Sequence, residues 1–237
     1  MKPTEQAYNE LQQAYDFFNA ALFDNELPAC LITFQREKQT CGYFSPNRFV
    51  DASGTGVDEI AMNPAYFSVV PPEENMQTLV HEMCHLWQHH FGKPGRGKYH
   101  NKEWADKMES IGLMPSDTGK PGGKRTGDRM ADYAIEGGLF MEHYNQLMEQ
   151  NFRITWMDRL PARDRLIAAM EDGSIGEYGE VLEAMGISLD GLELEAAKPN
   201  KSNRVKYCCP SCEVNAWGKP DLSIVCGNCS IPFVPAP

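Results

Sequence analysis

The feature that most constrains the fold is a helical pattern over residues 73–91, which carries the letters H-E-M-C-H at residues 81–85. Prolines precede the pattern, two glutamates lie in its first turn, and Gly92 follows its end, as is typical of a helix. Its apolar residues recur at spacings of three and four and form one broad face: Met76, Leu79, Val80, Met83, Leu86 and Trp87. The pattern therefore predicts a helix that is packed against other elements and has histidines within its buried part.

His81, Glu82 and His85 form an H-E-x-x-H motif in this helix. Residues four apart lie on one helical face, about 6 Å apart along the axis, so their two imidazoles can converge on one metal ion. Glu82 follows the first histidine directly, where a carboxylate can hold a metal-bound water and accept its proton. The motif alone is a weak signal, and the alternative is that both histidines are hydrogen-bonded residues of a packed helix.

A third ligand is needed, because a catalytic zinc ion usually has three protein ligands and one open position. His89 continues the same helical face, but eight residues of helix place it about 12 Å from His81, which is too far for one tetrahedral ion. His100 follows a glycine-rich segment, residues 92–98, that allows the chain to reverse, and we therefore predict His100 as the third ligand. The remaining histidines are expected at the exposed helix end or in structural positions: His89, His90 and His143.

The cysteines predict a second metal site near the C-terminus, since five of the eight lie between residues 208 and 229. Two C-x-x-C pairs, thirteen residues apart, have the spacing of a zinc ribbon with four thiolate ligands: Cys209, Cys212, Cys226 and Cys229. Four thiolates close the coordination shell, so this zinc would be structural. Cys208 competes with Cys209 as a ligand, although its spacing to Cys212 is one residue too long. The upstream cysteines are expected to be ordinary thiols: Cys30, Cys41 and Cys84.

Composition limits the class of protein. The apolar content of 42% and charged content of 23% are those of a soluble globular chain, and the sequence has neither a membrane-spanning apolar run nor a signal-peptide pattern at residues 1–18. We therefore expect an intracellular, cytoplasmic protein. The net charge of −11 argues against an overall basic surface. However, residues 93–129 contain nine Lys or Arg against five acids, and residues 198–237 contain five against two. Both segments are candidate nucleic-acid contacts, and the alternative for both is an ordinary solvated surface.

The segments before the motif predict an α+β arrangement. Tyr8, Leu11, Tyr15, Phe18 and Leu22 give one face of an amphipathic helix that ends near residues 24–25. Three strand-like runs follow, at residues 31–34, 41–44 and 59–62, with turn-forming residues at 45–47 and 53–56 between them. We expect these runs to form a small antiparallel sheet packed on helices.

The segments after the motif are more varied. The sequence predicts a short helix over residues 101–111, a loop over 115–127, and recurring helical patterns after residue 129, among them 139–152 and 160–170. Residues 197–203 have the composition of a linker into the cysteine-rich tail.

Several of these segments together resemble the SprT family of metallopeptidases, which includes the DNA–protein crosslink protease Spartan. The similarity is carried by T-L-V-H-E-M-C-H at residues 78–85 and H-N-K-E-W at residues 100–104. It extends to the first helix and its exit, to E-I-A-M-N-P at residues 59–64, and to the two cysteine pairs. The resemblance covers about residues 8–114 and 204–233. The segment between them, residues 115–203, departs from the compact family pattern and leaves the choice of substrate open.

The resemblance implies a zincin-like metallopeptidase core over residues 1–130, a helical extension over 131–197 and a C-terminal zinc ribbon over 198–237. It implies zinc held by His81, His85 and His100, with Glu82 as the base, and hence one catalytic and one structural zinc ion. The implied activity is endopeptidase cleavage of proteins bound or crosslinked to DNA, by Glu-assisted attack of a zinc-bound water. Two alternatives remain open: a general intracellular metallopeptidase without DNA dependence, and a non-catalytic zinc-stabilised adaptor or nucleic-acid-binding protein.

Overall fold

The computed structural model of the chain describes residues 1–37, 40–172 and 204–235. Residues 1–189 group into one compact unit and residues 190–237 into a second, and each unit is described by itself. The predicted linker at 197–203 lies outside the described residues. The three-part division at residues 130 and 197 stays a prediction.

The first unit begins with helix α1, Pro3–Leu22, whose buried face contains Leu11, Tyr15 and Phe18 as the spacing predicts. The helix ends where Asp24 and Asn25 adopt left-handed backbone angles, with φ of 52° and 60°. Asn and Asp tolerate this conformation better than most residues, which explains why the chain turns there.

A three-stranded sheet follows, with strands β1 (Leu31–Phe34), β2 (Gly42–Val50) and β3 (Gly56–Met62) in the spatial order β1-β3-β2. Strand β3 pairs antiparallel with β2 but parallel with β1, so the predicted all-antiparallel sheet is wrong. The turn at residues 51–55 fixes the direction of β2 against β3, whereas β1 lies on the far side of β3 and runs in the same direction as that strand. Residue alternation within a strand carries no information about the direction of its neighbour.

The predicted turn at residues 45–47 is also wrong, because these residues lie inside β2. The register against β3 shifts between Ser45 and Phe49, and Asn47 has a φ of 47°. Strand β2 is an edge strand, where a proline and a bulge are tolerated, so turn-forming residues bend the strand here without ending it.

Helix α2 spans Pro72–Phe91 and helix α3 spans Lys102–Ser110, both within a residue of the predicted limits. The apolar face of α2 lies in the core, where Leu79, Val80 and Met83 are fully buried. Trp104 of α3 is also fully buried in this core. The two helices therefore meet in the interior at the level of the histidine motif.

A two-stranded sheet that the sequence did not predict follows α3. Strand β4 (Leu113–Ser116) pairs antiparallel with β5 (Ala131–Ala134), and residues 117–130 connect them. The predicted helical pattern at 139–152 forms α4, Leu139–Glu149, and the pattern at 160–170 forms α5, Arg163–Asp172. Phe140 of α4 stacks on Phe18 of α1 with ring centroids 5.8 Å apart, so α4 packs on the same core as the metal motif.

The second unit contains strands β6 (Val205–Cys208), β7 (Asn215–Gly218) and β8 (Val234–Pro235), all antiparallel, with β6 in the middle. Tyr207 is its main buried ring, and the Tyr207 hydroxyl donates to the carbonyl of Lys219 at 2.7 Å. So small an apolar core favours stabilisation by a metal. Among the helices that the structure describes in either unit, none has the length and apolar character needed to cross a bilayer.

Candidate metal centres

The first candidate site begins with the middle of α2, where His81, Glu82 and His85 are placed by the helical spacing. His81 and Glu82 are buried, with 9% and 7% of their surface exposed, and His85 is partly buried. The apolar residues on either side of the motif hold this part of the helix in the core. The sequence thus places two imidazoles and a carboxylate in an interior where polar groups need partners.

His100 reaches the same point from the segment before α3. Its backbone exchanges two hydrogen bonds with Gly127, at 2.8 and 3.2 Å, which fixes the chain just before the helix. Asn101 caps α3, since its side chain accepts from the Trp104 N–H at 3.1 Å. The same amide oxygen accepts from Gln88 of α2 at 2.8 Å. These bonds hold the start of α3 against α2 and so position His100.

The three imidazoles converge. Ring centroids are 5.1 Å apart for His81 and His85, 5.5 Å for His81 and His100, and 4.7 Å for His85 and His100. One ligand nitrogen from each of the three lies within 4.8 Å of the others, and the Nε2 atoms of His85 and His100 are 3.1 Å apart. Two nitrogens bound to one tetrahedral zinc would be about 3.3 Å apart, so the donor set fits that ion in both type and spacing.

Two further groups fix which nitrogens are available. Nδ1 of His81 lies 2.9 Å from a carboxylate oxygen of Asp132 on β5, and Nδ1 of His100 lies 3.1 Å from the carbonyl oxygen of Gly127. Both oxygens can only accept, so in each neutral imidazole the proton lies on Nδ1 and the lone pair lies on Nε2. Such outer partners are typical of metal-binding histidines. Asp132 also accepts from the side chain of Gln77 at 3.1 Å, so its own orientation is fixed.

Sequence reasoning missed Asp132 and Gly127. Asp132 is 51 residues from His81 and lies on a strand that the pattern did not predict, and Gly127 acts through its backbone. No spacing in the sequence relates either residue to the histidines, so no local signal could have found them.

Trp104 packs against all three imidazoles of the site. Its ring stacks on His85 at 5.2 Å and meets His81 and His100 edge-on at 4.8 and 4.5 Å between centroids. The indole is fully buried, and its Nε1 has no hydrogen-bond partner among the described residues. The rings are therefore held by contact with one rigid side chain, which limits their rotation.

The electrostatic environment keeps two of the three imidazoles neutral. Burial, together with the charge of His81, lowers the pKa of His100 from 6.5 to about 4, and burial with the charges of its two histidine neighbours lowers the pKa of His85 well below its usual range. Burial also opposes protonation of His81, but the hydrogen bond to Asp132 and the nearby carboxylates outweigh it and raise the His81 pKa. Neutral imidazoles are the form that binds a metal.

Glu82 is held between α2 and β2. Burial raises the pKa of its carboxyl, while the charge of His81 and the backbone N–H of Phe44 act in the opposite direction. The backbone of the edge strand β2 thus reaches the carboxylate that follows the first histidine.

The second candidate site lies in the second unit, where four thiols meet: Cys209, Cys212, Cys226 and Cys229. Their sulfurs lie within 4.8 Å of one another, and those of Cys212 and Cys226 are 3.6 Å apart. Backbone N–H groups of Cys212 and Ser211 point at the Cys209 sulfur and lower its thiol pKa, which favours a thiolate. This tetrad fits a closed, structural zinc site.

The structure places the two neighbouring cysteines differently. Cys209 lies in the tetrad, whereas Cys208 lies outside it and contacts the carbonyl of Cys209 at 3.6 Å. Each cysteine pair closes a tight turn, and the turns contain Glu213 and Ser230 with φ of 57° and 54°.

The remaining histidines lie outside the first site, as the sequence predicts. His89 and His90, in the last turn of α2, lie beside Asp58. His143 is on α4, where it hydrogen-bonds Gln146 at 3.0 Å and meets the ring of Phe17 edge-on.

The chain is similar to known proteins. The SprT-like family profile matches residues 11–121, a range that contains both the H-E-x-x-H helix and His100. A protein of Salmonella typhimurium, described as an uncharacterized protein in the mucB 3′ region, is 66% identical over 59 residues. That match covers 24% of this chain and 80% of the Salmonella protein. Among solved structures, none matches the chain.

Proposed function

The chain belongs to the SprT-like family, whose members are in general metallopeptidases, and from this premise we propose that it is a zinc-dependent endopeptidase. The observation that supports the proposal most is the convergence of His81, His85 and His100, whose nitrogens meet within 4.8 Å. Glu82 lies beside His81 on the same helix, where a proton acceptor is needed.

Each residue has a distinct part in the proposed mechanism. The imidazoles of His81, His85 and His100 would hold the zinc ion, and Asp132 and Gly127 would keep two of the rings in the required tautomer. Zinc in such a site lowers the pKa of water and polarises a carbonyl group. Glu82 accepts the proton of the attacking water and then donates it to the nitrogen of the departing amine.

Replacing Glu82 tests the catalytic step separately from metal binding. Glu82→Gln keeps the shape of the side chain but removes the proton acceptor, so we expect a loss of peptide cleavage of at least about a hundredfold with zinc content unchanged. Zinc per chain and cleavage of a protein substrate are measured on the same sample. His143→Ala is the matched control and should keep both. Full cleavage by the zinc-loaded Glu82→Gln protein would refute the proposed role.

Replacing His100 tests the ligand set. After dialysis against metal-free buffer, we expect two zinc ions per wild-type chain, one held by the histidines and one by the cysteine tetrad. His100→Ala should retain one, because two imidazoles bind zinc weakly. An unchanged count of two would place the third ligand elsewhere. One ion in wild type that persists in the variant would instead favour a non-catalytic, zinc-stabilised adaptor.

For the substrate, we propose proteins bound or crosslinked to DNA. Among the cations of residues 93–129, Lys102 and Arg125 form salt bridges with acids of α3. Arg96 and Lys98, in contrast, lie in the segment directly before His100. Clustered cations beside the metal centre are suited to DNA phosphates, and the tail contributes Arg204 and Lys206 in its own unit.

A pair of assays tests the substrate class. We expect DNA affinity that falls steeply as salt rises, and faster cleavage of a DNA-bound basic protein when DNA is present. Arg96→Ala with Lys98→Ala should weaken DNA binding and leave cleavage of a free peptide unchanged. Cleavage that is indifferent to DNA, together with no salt-sensitive affinity, would identify a general intracellular peptidase.

A further inference from the structure

A third group of potential ligands lies one helical turn beyond the zinc histidines and is formed by Asp58, His89 and His90. One carboxylate oxygen of Asp58 and one ring nitrogen from each histidine lie within 4.8 Å of one another. Asp58 comes from β3 and the histidines come from the last turn of α2, so the group joins two elements of the first unit. Five of the chain's six histidines thus lie in just two clusters.

The Asp58 carboxylate is held in place before any ion binds. Its side chain is 7% exposed, and one of its oxygens accepts from the backbone N–H of Asn47 at 2.7 Å. Asn47 is the residue with left-handed backbone at the bulge of β2, and its side chain fits against Gly56, where a Cβ would lie 2.8 Å from its amide oxygen. The bulge therefore fixes one carboxylate oxygen and leaves the other directed at α2.

The second oxygen of Asp58 faces the histidines. It lies 2.6 Å from Nε2 of His90, whose side chain is 36% exposed and gives solvent ions access. Burial opposes ionisation of Asp58, but the bonds from Asn47 and His90 and the histidine charges outweigh it and lower the pKa of the carboxyl. The His90 contact alone would be a simple link between helix and strand. The nitrogen of His89, within 4.8 Å of both groups, makes it a set of three donors.

The chemistry of these donors selects a class of ion. Two imidazoles and one carboxylate suit borderline divalent transition metals such as Zn²⁺, whereas Mg²⁺ and Ca²⁺ prefer sites made of oxygen. We propose that Asp58, His89 and His90 form an additional, weaker binding site for a divalent transition metal of the zinc type. A bound ion clamps the end of α2 to β3 and so stabilises the two elements that frame the first metal centre.

The site lies outside the catalytic mechanism and is tested by metal stoichiometry, without an activity assay. Wild-type full-length protein is dialysed against buffers of increasing free Zn²⁺, and zinc per chain is measured at each concentration. We expect two ions at low free zinc and three at higher free zinc. His89→Ala should stop at two, and the control His143→Ala should reach three.

Asp58→Asn provides a second variant that keeps an oxygen to accept from Asn47 while it removes the ligand charge. It too should stop at two ions, and added zinc should raise the thermal midpoint of wild type more than that of either variant. A wild-type count that stays at two, or a third ion that persists in both variants, would overturn the proposal. Failure of the peptidase proposal is distinguishable, because it would appear in the cleavage assay of Glu82→Gln or in the zinc content of His100→Ala, and neither measurement involves the His89-dependent ion.

Discussion

Asp132 is the residue whose replacement tests the first metal centre most directly. Its carboxylate is 8% exposed and accepts from Nδ1 of His81 at 2.9 Å and from Gln77 at 3.1 Å. Removing an outer partner of a metal-binding histidine typically lowers metal affinity by about 10- to 100-fold. We expect Asp132→Asn, which keeps the shape and one acceptor but loses the charge, to lower the zinc affinity by about tenfold. Asp132→Ala, which leaves Nδ1 of His81 without a partner, should lower the zinc affinity by about 100-fold.

These factors correspond to about 1.4 and 2.8 kcal/mol of zinc-binding free energy, since tenfold in affinity is about 1.4 kcal/mol. The assay is competition for zinc with a chromophoric chelator, and the cysteine tetrad in the second unit is an internal reference that should not change. Asp106→Asn is the matched control, because Asp106 is a half-exposed carboxylate that pairs with Lys102 and Arg125 on the surface. Wild-type zinc affinity in folded Asp132→Ala would refute the inference that this carboxylate supports His81.

Three further predictions concern other parts of the structure. Asn101→Ala removes the cap of α3 and the acceptor for Gln88. It should lower the free energy of unfolding by about 1 to 2 kcal/mol in urea titrations. An unchanged urea midpoint would contradict the capping role. In zinc-free protein, the pKa of His100 is lowered by burial from 6.5 to about 4, so the unfolded chain takes up the proton first. The His100 contribution to stability is therefore complete above pH 6.5 and is lost as pH falls toward 4. The urea midpoint should consequently fall less between pH 7 and 5 in His100→Asn than in wild type. An equal fall of the urea midpoint in both proteins would refute this. Cys226→Ser should release the zinc of the cysteine tetrad and remove hydrogen-exchange protection from β6 and β7, while the histidine-bound ion stays. Hydrogen-exchange protection that is retained without zinc would contradict a structural role of this metal.

The local parts of the fold could be predicted from the sequence. Helices α2 and α3 lie within a residue of the predicted limits, because proline, asparagine and glycine mark their ends and apolar spacing marks the buried face. The fixed rise of a helix also excludes His89 from the first cluster, and the structure places it beside Asp58 instead. The four predicted ribbon cysteines meet, since each C-x-x-C pair closes its own short turn.

The failures involve contacts between distant residues. The parallel pairing of β1 with β3 and the bulge inside β2 depend on which strands lie side by side, and strand alternation is the same for either direction. The β4–β5 pair escaped prediction because its two strands are short and separated by fourteen residues of glycine- and lysine-rich chain. A four-residue strand has too few residues to give a clear alternation.

The sequence by itself determined the types of the candidate donor residues and the elements that contain them, because helical spacing and C-x-x-C turns bring those residues together over a few positions. Only the tertiary structure decided how the groups are supported. Asp132 orients His81 from a strand 51 residues away, Gly127 orients His100 through its backbone, and Asp58 on β3 meets the end of α2. Each of these contacts forms only after the core has packed, and that packing places distant polar groups at hydrogen-bond distance from the histidines.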